Sequence, residues 1–156
     1  MPSRQEILNN VKLFLDYIYN QRKNFLYGIE LFAGDLFYDN IYFDIIDIIE
    51  SFLKPIKKDY PELFEREILI MMPNNLNWVY YNPEKVEKFR EYFYRFKKEY
   101  NMILSASWST DGYYAINTRE KKILPESYFD TIFSFCKEFE CGYHPMVAAE
   151  NIHTWV

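Results

Sequence analysis

The stretch Gly28-Ile29-Glu30-Leu31-Phe32-Ala33-Gly34-Asp35-Leu36-Phe37 runs from an apolar segment into residues too small and too polar for a core. A short apolar run ended by small residues reads as a strand, Tyr27–Ala33, entering a tight turn that carries a carboxylate. Three more runs of this kind follow: Glu67–Pro73, Met102–Ser107 and Tyr143–Ala149. They are spaced by roughly 35–40 residues, room for one strand and one crossover helix. Alternating units of this kind build a parallel sheet, and such sheets bind ligands beyond the carboxyl ends of their strands. The near-continuous apolar character of Ile29–Phe32 and Ile68–Met72 is that of strands buried on both faces.

Between the strand runs the helical period is clear. Ser3 and Glu6 form a capping box, and Ile7, Val11, Phe14, Leu15 and Ile18 then make one apolar face, ending near Arg22 or Lys23. A second helix begins near Asn40, turns Ile41, Ile45, Ile48, Ile49 and Phe52 inward and Asp44, Asp47 and Glu50 outward, and is expected to stop at Pro55. A third has Asn82 as its cap and Pro83 at its first position, with Val86, Phe89, Phe93 and Phe96 inward. A fourth starts at Pro125 and directs Phe129, Ile132, Phe133, Cys136 and Phe139 inward.

Composition narrows the function classes. A chain of 156 residues reads as one domain, able to bury roughly 68–70% of its unfolded surface. The net charge of −5 argues against a nucleic-acid binder, which would carry a basic stripe. No apolar run reaches the ~20 residues that span a bilayer. Met1-Pro2-Ser3-Arg4-Gln5-Glu6 lacks the layout of a signal peptide. Cys136 and Cys141 form neither a disulfide framework nor a zinc signature, so a reducing cytoplasm is expected. The aromatic share of 21% reads as a compositional habit rather than a special surface.

Chemistry is expected at the strand ends. Small residues at Ala33-Gly34-Asp35 let a ligand approach the backbone closely, and carbonyls there can accept bonds from an ammonium group. Leu104-Ser105-Ala106-Ser107-Trp108-Ser109-Thr110-Asp111-Gly112 gathers hydroxyls and a carboxylate suited to a sugar or an amino-acid group. Each segment also reads as an ordinary turn. Trp78 and Trp108 follow strand ends, where they would either stack on a ligand ring or pack. His144 and His153 form no ligand pair, whereas Glu150-Asn151 is placed to line the same cavity.

The two motifs, in this order and separated by one βα unit, resemble the radical S-adenosylmethionine (SAM) enzyme superfamily. There the second strand ends in Gly-Gly-Glu and the fourth often in Ser-x-Asp-Gly, matched here by Ala33-Gly34-Asp35 and Ser109-Thr110-Asp111-Gly112. Met72-Pro73-Asn74-Asn75-Leu76 takes the place of that family's Thr-Asn-Gly. The resemblance implies that Gly34 and Asp35, beside Ala33, meet the amino end of the SAM methionine group. It implies that Ser109 and Asp111 meet its ribose or carboxylate, with Asn75 in the same set. Ala and Asp stand where the family has Gly and Glu, which alters the reach of the acid. The family's C-x3-C-x2-C motif for a [4Fe–4S] cluster is absent, and Cys136 and Cys141 have the wrong place and spacing.

The expectation is therefore a partial (βα) barrel of radical SAM type, residues 1–156, with a parallel sheet and helices on the outer face. Strand order should be sequential, every helix should lie on one side, and Gly34, Asp35, Ser109 and Asp111 should converge on one cavity. The chain would contribute SAM-binding strand ends to a [4Fe–4S]-dependent radical enzyme acting on a small-molecule or peptide substrate. By itself it would be inactive. The helix start at Asn151–Val156 and the open sheet edges suggest missing segments or an oligomer. The alternatives are a noncatalytic α/β binding or interaction module and a doubly wound α/β protein.

Overall fold

The computed structural model describes residues 3–21, 28–31, 36–37, 40–110 and 124–145. Ala33, Gly34, Asp35, Asp111, Glu150, Asn151 and His153, with the far part of the last expected strand, lie outside them. In chain order the elements are α1 (Arg4–Gln21), β1 (Gly28–Glu30), α2 (Ile41–Asp59), a 3-10 turn (Pro61–Phe64), β2 (Ile68–Asn74), α3 (Asn77–Tyr81), α4 (Pro83–Tyr100), β3 (Met102–Thr110), α5 (Glu126–Glu138) and β4 (Gly142–Pro145).

The four strands form one sheet in the order β1-β2-β3-β4, and every neighbouring pair is parallel. Sequential parallel order requires each crossover to advance the sheet in the same direction. The sheet is open, and its two faces differ. Ile68, Ile70 and Met72 on β2, and Met102, Leu104, Ala106 and Trp108 on β3, are buried. Their neighbours in sequence, Leu69, Pro73, Ile103 and Ser105, are only half-buried, and Met71 is 38% exposed. Successive strand residues point to opposite faces, so one face carries the core. The expectation of burial on both faces fails for the described residues.

The helices meet over the covered face. Leu15 of α1 shares a groove with Ile29 of β1 and with Ile45 and Ile49 of α2. Phe43 of α2 meets Tyr92 of α4 at a ring distance of 5.4 Å. Phe89 of α4 lies among Tyr42, Trp78, Phe135 and Phe139 at 5.1–6.0 Å. Much of the chain's aromatic content is spent here, and each fully buried ring contributes about 1.5–3 kcal/mol. Among the described residues no helix is long and apolar enough to cross a membrane.

Several local expectations are corrected. Pro55 does not stop α2, which continues to Asp59. Pro55 is exposed, so water can serve the carbonyl its ring deprives, while buried Leu53 and Ile56 hold the helix against the core. Glu50 is not solvated: it is 9% exposed and pairs with Arg95 of α4 at 2.9 Å. Asp44 bonds Arg4, and Asp47 accepts the Tyr92 hydroxyl at 2.7 Å. On α1, Phe14 is 57% exposed. On α5 the inward residues are Tyr128, Ile132, Phe135 and Phe139, whereas Phe133 is 57% exposed. The expected face was rotated because Phe occurs on both sides of this helix. Asn82 precedes Pro83 as expected, but its side chain makes no capping bond.

Candidate functional site

The carboxyl edge of the sheet is built around the end of β2. Asn74 closes that strand, is 6% exposed, and accepts two hydrogen bonds through Oδ1. One comes from the Leu76 amide at 2.7 Å and the other from the Trp78 indole at 3.1 Å. Leu76 is thereby held in the left-handed region at φ 58°, which costs a Cβ-bearing residue of order 1 kcal/mol or more. Asn75 between them is exposed, and its Oδ1 accepts from the Asn77 amide at 2.9 Å. A side-chain acceptor that bonds the backbone two residues on is the usual chemistry of an asparagine turn.

The next helix fastens this turn to its neighbours. Trp78 stacks on Phe37, with ring centroids 3.9 Å apart and planes within 9°. Asn77 accepts the Tyr128 hydroxyl of α5. The Phe37 carbonyl accepts the Lys85 ammonium of α4. Upstream, the Leu31 amide donates to Met71 O at 2.8 Å. Leu31 and Leu36–Phe37, which flank the segment containing Ala33, Gly34 and Asp35, are thus tied to β2, α3 and α4.

The third contribution comes from β3. The strand reaches Thr110, so Ser109 lies in the sheet rather than in a turn, three residues beyond the expected end at Ser107. In register, Glu30 stands beside Met71 and Met71 beside Ser105. Ser107 stands between Pro73 and Gly142, and Ser109 beside the backbone of His144. Strand parity puts Ser105, Ser107 and Ser109 on the face opposite buried Leu104, Ala106 and Trp108. Ser105 and Ser109 are half-buried, and Ser107 is 9% exposed. The less buried face therefore carries three hydroxyls along one strand, beside Met71 and Pro73, with exposed Glu30 two strands away.

The expected site residues divide accordingly. Asn75 and Ser109 share the carboxyl edge, each one residue beyond the last register pair of β2 and β3, Asn74–Trp108. Trp78 and Trp108 are packing residues, each 3% exposed, with Trp108 edge-on to Phe133 at 5.3 Å. Sequence reading missed Glu30, Asn74, Leu76 and the short helix α3, and ended the strand at Ser107, which left Ser109 in a turn. The period-two signal for the serines was present, but it needs the strand to be carried to Thr110.

An iron–sulfur cluster is bound by thiolates, ordinarily four. The chain has two cysteines, which sit near the end of α5 and just before β4. They do not fit such a cluster. Among the described residues no group of three or more His, Cys, Asp or Glu side chains is arranged to hold a metal ion. Comparison with family models, with curated proteins and with solved structures returns no significant match.

Proposed function

We propose that the carboxyl edge of this sheet binds S-adenosylmethionine, and that the chain is a partial (βα) barrel of radical SAM type. The observation that carries the reading is the row of three serines on the less buried face of β3, in a sheet of sequential parallel order. That order sends every strand's carboxyl end to one edge, where Asn75 and Ser109 sit. A ligand with ribose hydroxyls and an amino-acid head suits exposed amides and serine hydroxyls better than an apolar ligand would. The resemblance adds Ala33, Gly34 and Asp35 at the first motif and Asp111 at the second.

The chain's own residues would bind and orient the ligand. The thiols needed for a [4Fe–4S] cluster would have to come from elsewhere, so a radical reaction is proposed only for a complete assembly. The thiol inventory favours a second reading, a noncatalytic α/β binding module.

Titration of this chain with SAM by isothermal calorimetry tests the proposal. Saturable binding, displaced by S-adenosylhomocysteine, is expected. Ser109→Ala should weaken it by about 2- to 10-fold, the loss of one neutral hydrogen bond. Asp111→Ala should weaken it by about 10- to 100-fold, and Gly34→Val should act by blocking close backbone approach. Absence of saturable binding by a chain whose circular dichroism is that of a folded protein would reject the SAM reading.

A further inference from the structure

The two cysteines excluded as cluster ligands are brought together by the way α5 ends. Glu140 follows the last helical turn with φ 51°, in the left-handed region. The Cys141 amide then turns back to the Cys136 carbonyl at 2.9 Å. A left-handed residue followed by a bond that spans five residues is the Schellman ending of a helix, in which the first and last residues of the motif frequently make side-chain contact. Those residues are ordinarily apolar; here both are cysteine. Both are free thiols and half-buried, and each is the leading influence on the acidity of the other.

We propose that Cys136 and Cys141 form a reversible thiol–disulfide pair, closed by exchange with a low-molecular-weight disulfide. The cap geometry supports this, since its backbone bond already brings the two residues together without movement of the helix.

The chemistry assigns an order to the two sulfurs. The neighbouring Cys141 thiol favours a thiolate at Cys136, lowering its pKa against the opposing effect of burial. Cys141 is pushed the other way, first by its Cys136 neighbour and then by burial. Cys136 is therefore the attacking sulfur. Its thiolate attacks one sulfur of the small disulfide, forming a mixed disulfide and releasing one small thiolate. Cys141, losing its proton to solvent, then attacks the Cys136 sulfur, closes the Cys136–Cys141 bond and expels the second small thiolate. The protein pair loses two electrons, and the small disulfide gains them.

Closure would fasten the end of α5 to the start of β4. Gly142, the next residue, pairs in register with Ser107, so the pair sits where β4 joins β3 beside the serine row. The inference does not depend on what that row binds.

Treatment of the chain with oxidised glutathione, followed by alkylation and intact-mass measurement, tests it. The expected product is a monomer two hydrogens lighter, resistant to alkylation and restored by dithiothreitol. Cys141→Ser should stop at a mixed disulfide carrying one glutathione, and Cys136→Ser, which keeps only the less acidic thiol, should acquire it more slowly. Closure should be at least about tenfold faster in native buffer than in denaturant at matched thiolate content, because the cap pre-orients the pair. A wild-type chain that accumulates glutathione adducts without closing, forms covalent dimers or does not react would overturn the proposal. So would equal closure rates in native buffer and denaturant.

Discussion

The indole of Trp78 lies flat on the ring of Phe37, with centroids 3.9 Å apart and planes 9° from parallel. The contact joins the segment after β1 to the short helix after β2, two places that sequence reading treats as separate loops. Phe37 is also stacked on Tyr42 at 4.4 Å, so the pair belongs to a column of rings that enters the core through α2.

Phe37→Ala should destabilise the chain by about 3–5 kcal/mol, and Trp78→Phe by about 1–3 kcal/mol. In a Phe37→Leu, Trp78→Phe double variant the losses should fall short of additivity by about 0.5–1.5 kcal/mol. Urea unfolding measures all of these. Strict additivity would mean that the two segments are not energetically joined.

Asn74→Ala removes the acceptor shared by the Leu76 amide and the Trp78 indole. Two donors are left without that partner, and about 2–4 kcal/mol should be lost. Leu76 should also relax from its left-handed conformation. Hydrogen exchange at the Leu76 amide should accelerate more than exchange at amides in the middle of β3. Unchanged protection at Leu76 would show that Asn74 does not hold the turn.

Glu50 and Arg95 clamp α2 to α4 at 2.9 Å, with the Tyr100 hydroxyl donating to Glu50 at 3.4 Å. Burial, followed by the Glu50 charge, pushes the Tyr100 phenol up to about 12. Arg95 Nε is buried without a hydrogen-bond partner among the described residues, so the guanidinium is not using its whole fork there. Arg95→Lys should cost less than about 1 kcal/mol, whereas Glu50→Ala, which strands Arg95, should cost about 2–3 kcal/mol. Thermal unfolding of the two variants separates them, and a larger loss for the lysine variant would contradict the geometry.

Phe133 and Phe135 are two residues apart on α5 and lie on opposite sides of the core boundary, 57% and 4% exposed. Phe135→Ala should cost about 3–5 kcal/mol. Phe133→Ala should cost about 1 kcal/mol, chiefly the edge contact with Trp108. Equal losses would restore the helix face expected from sequence.

Glu138 accepts two bonds from Arg90, at 2.5 and 2.8 Å, and this pairing holds its carboxyl below the ordinary range. A carboxylate with a depressed native pKa adds stability above its unfolded pKa and loses it as pH falls through the native value. The stability gap between wild type and Glu138→Gln should therefore be full near pH 7 and close as pH drops below about 4. Each side chain is about a third exposed, so the gap should not exceed about 1 kcal/mol. A gap that grows on acidification would contradict the pairing.

The linear pattern was enough for the alternation of helix and strand, the parallel sheet and its sequential order. These follow from period and spacing: Ile68–Met72 and Met102–Leu104 are short apolar runs, and Phe89, Phe93 and Phe96 recur at helical intervals. It also placed Asn75 and Ser109 near strand ends, because parallel winding sends all those ends one way. Packing settled which face of the sheet and of α5 is wet, whereas the inward Phe89, Phe93 and Phe96 of α4 were legible from their period. On α5, apolar rings stand all round the helix, so its period could not choose between Phe133 and Phe135, and the neighbouring Phe89 and Phe139 did. Glu50 reads as a surface acid until α4 brings Arg95 and Tyr100 beside it. Cys136 and Cys141 read as unrelated thiols, because what joins them is a backbone turn at Glu140 whose left-handed conformation no residue there announces. Side chains far apart in sequence meet through packing, and packing energy belongs to pairs that a linear pattern does not contain.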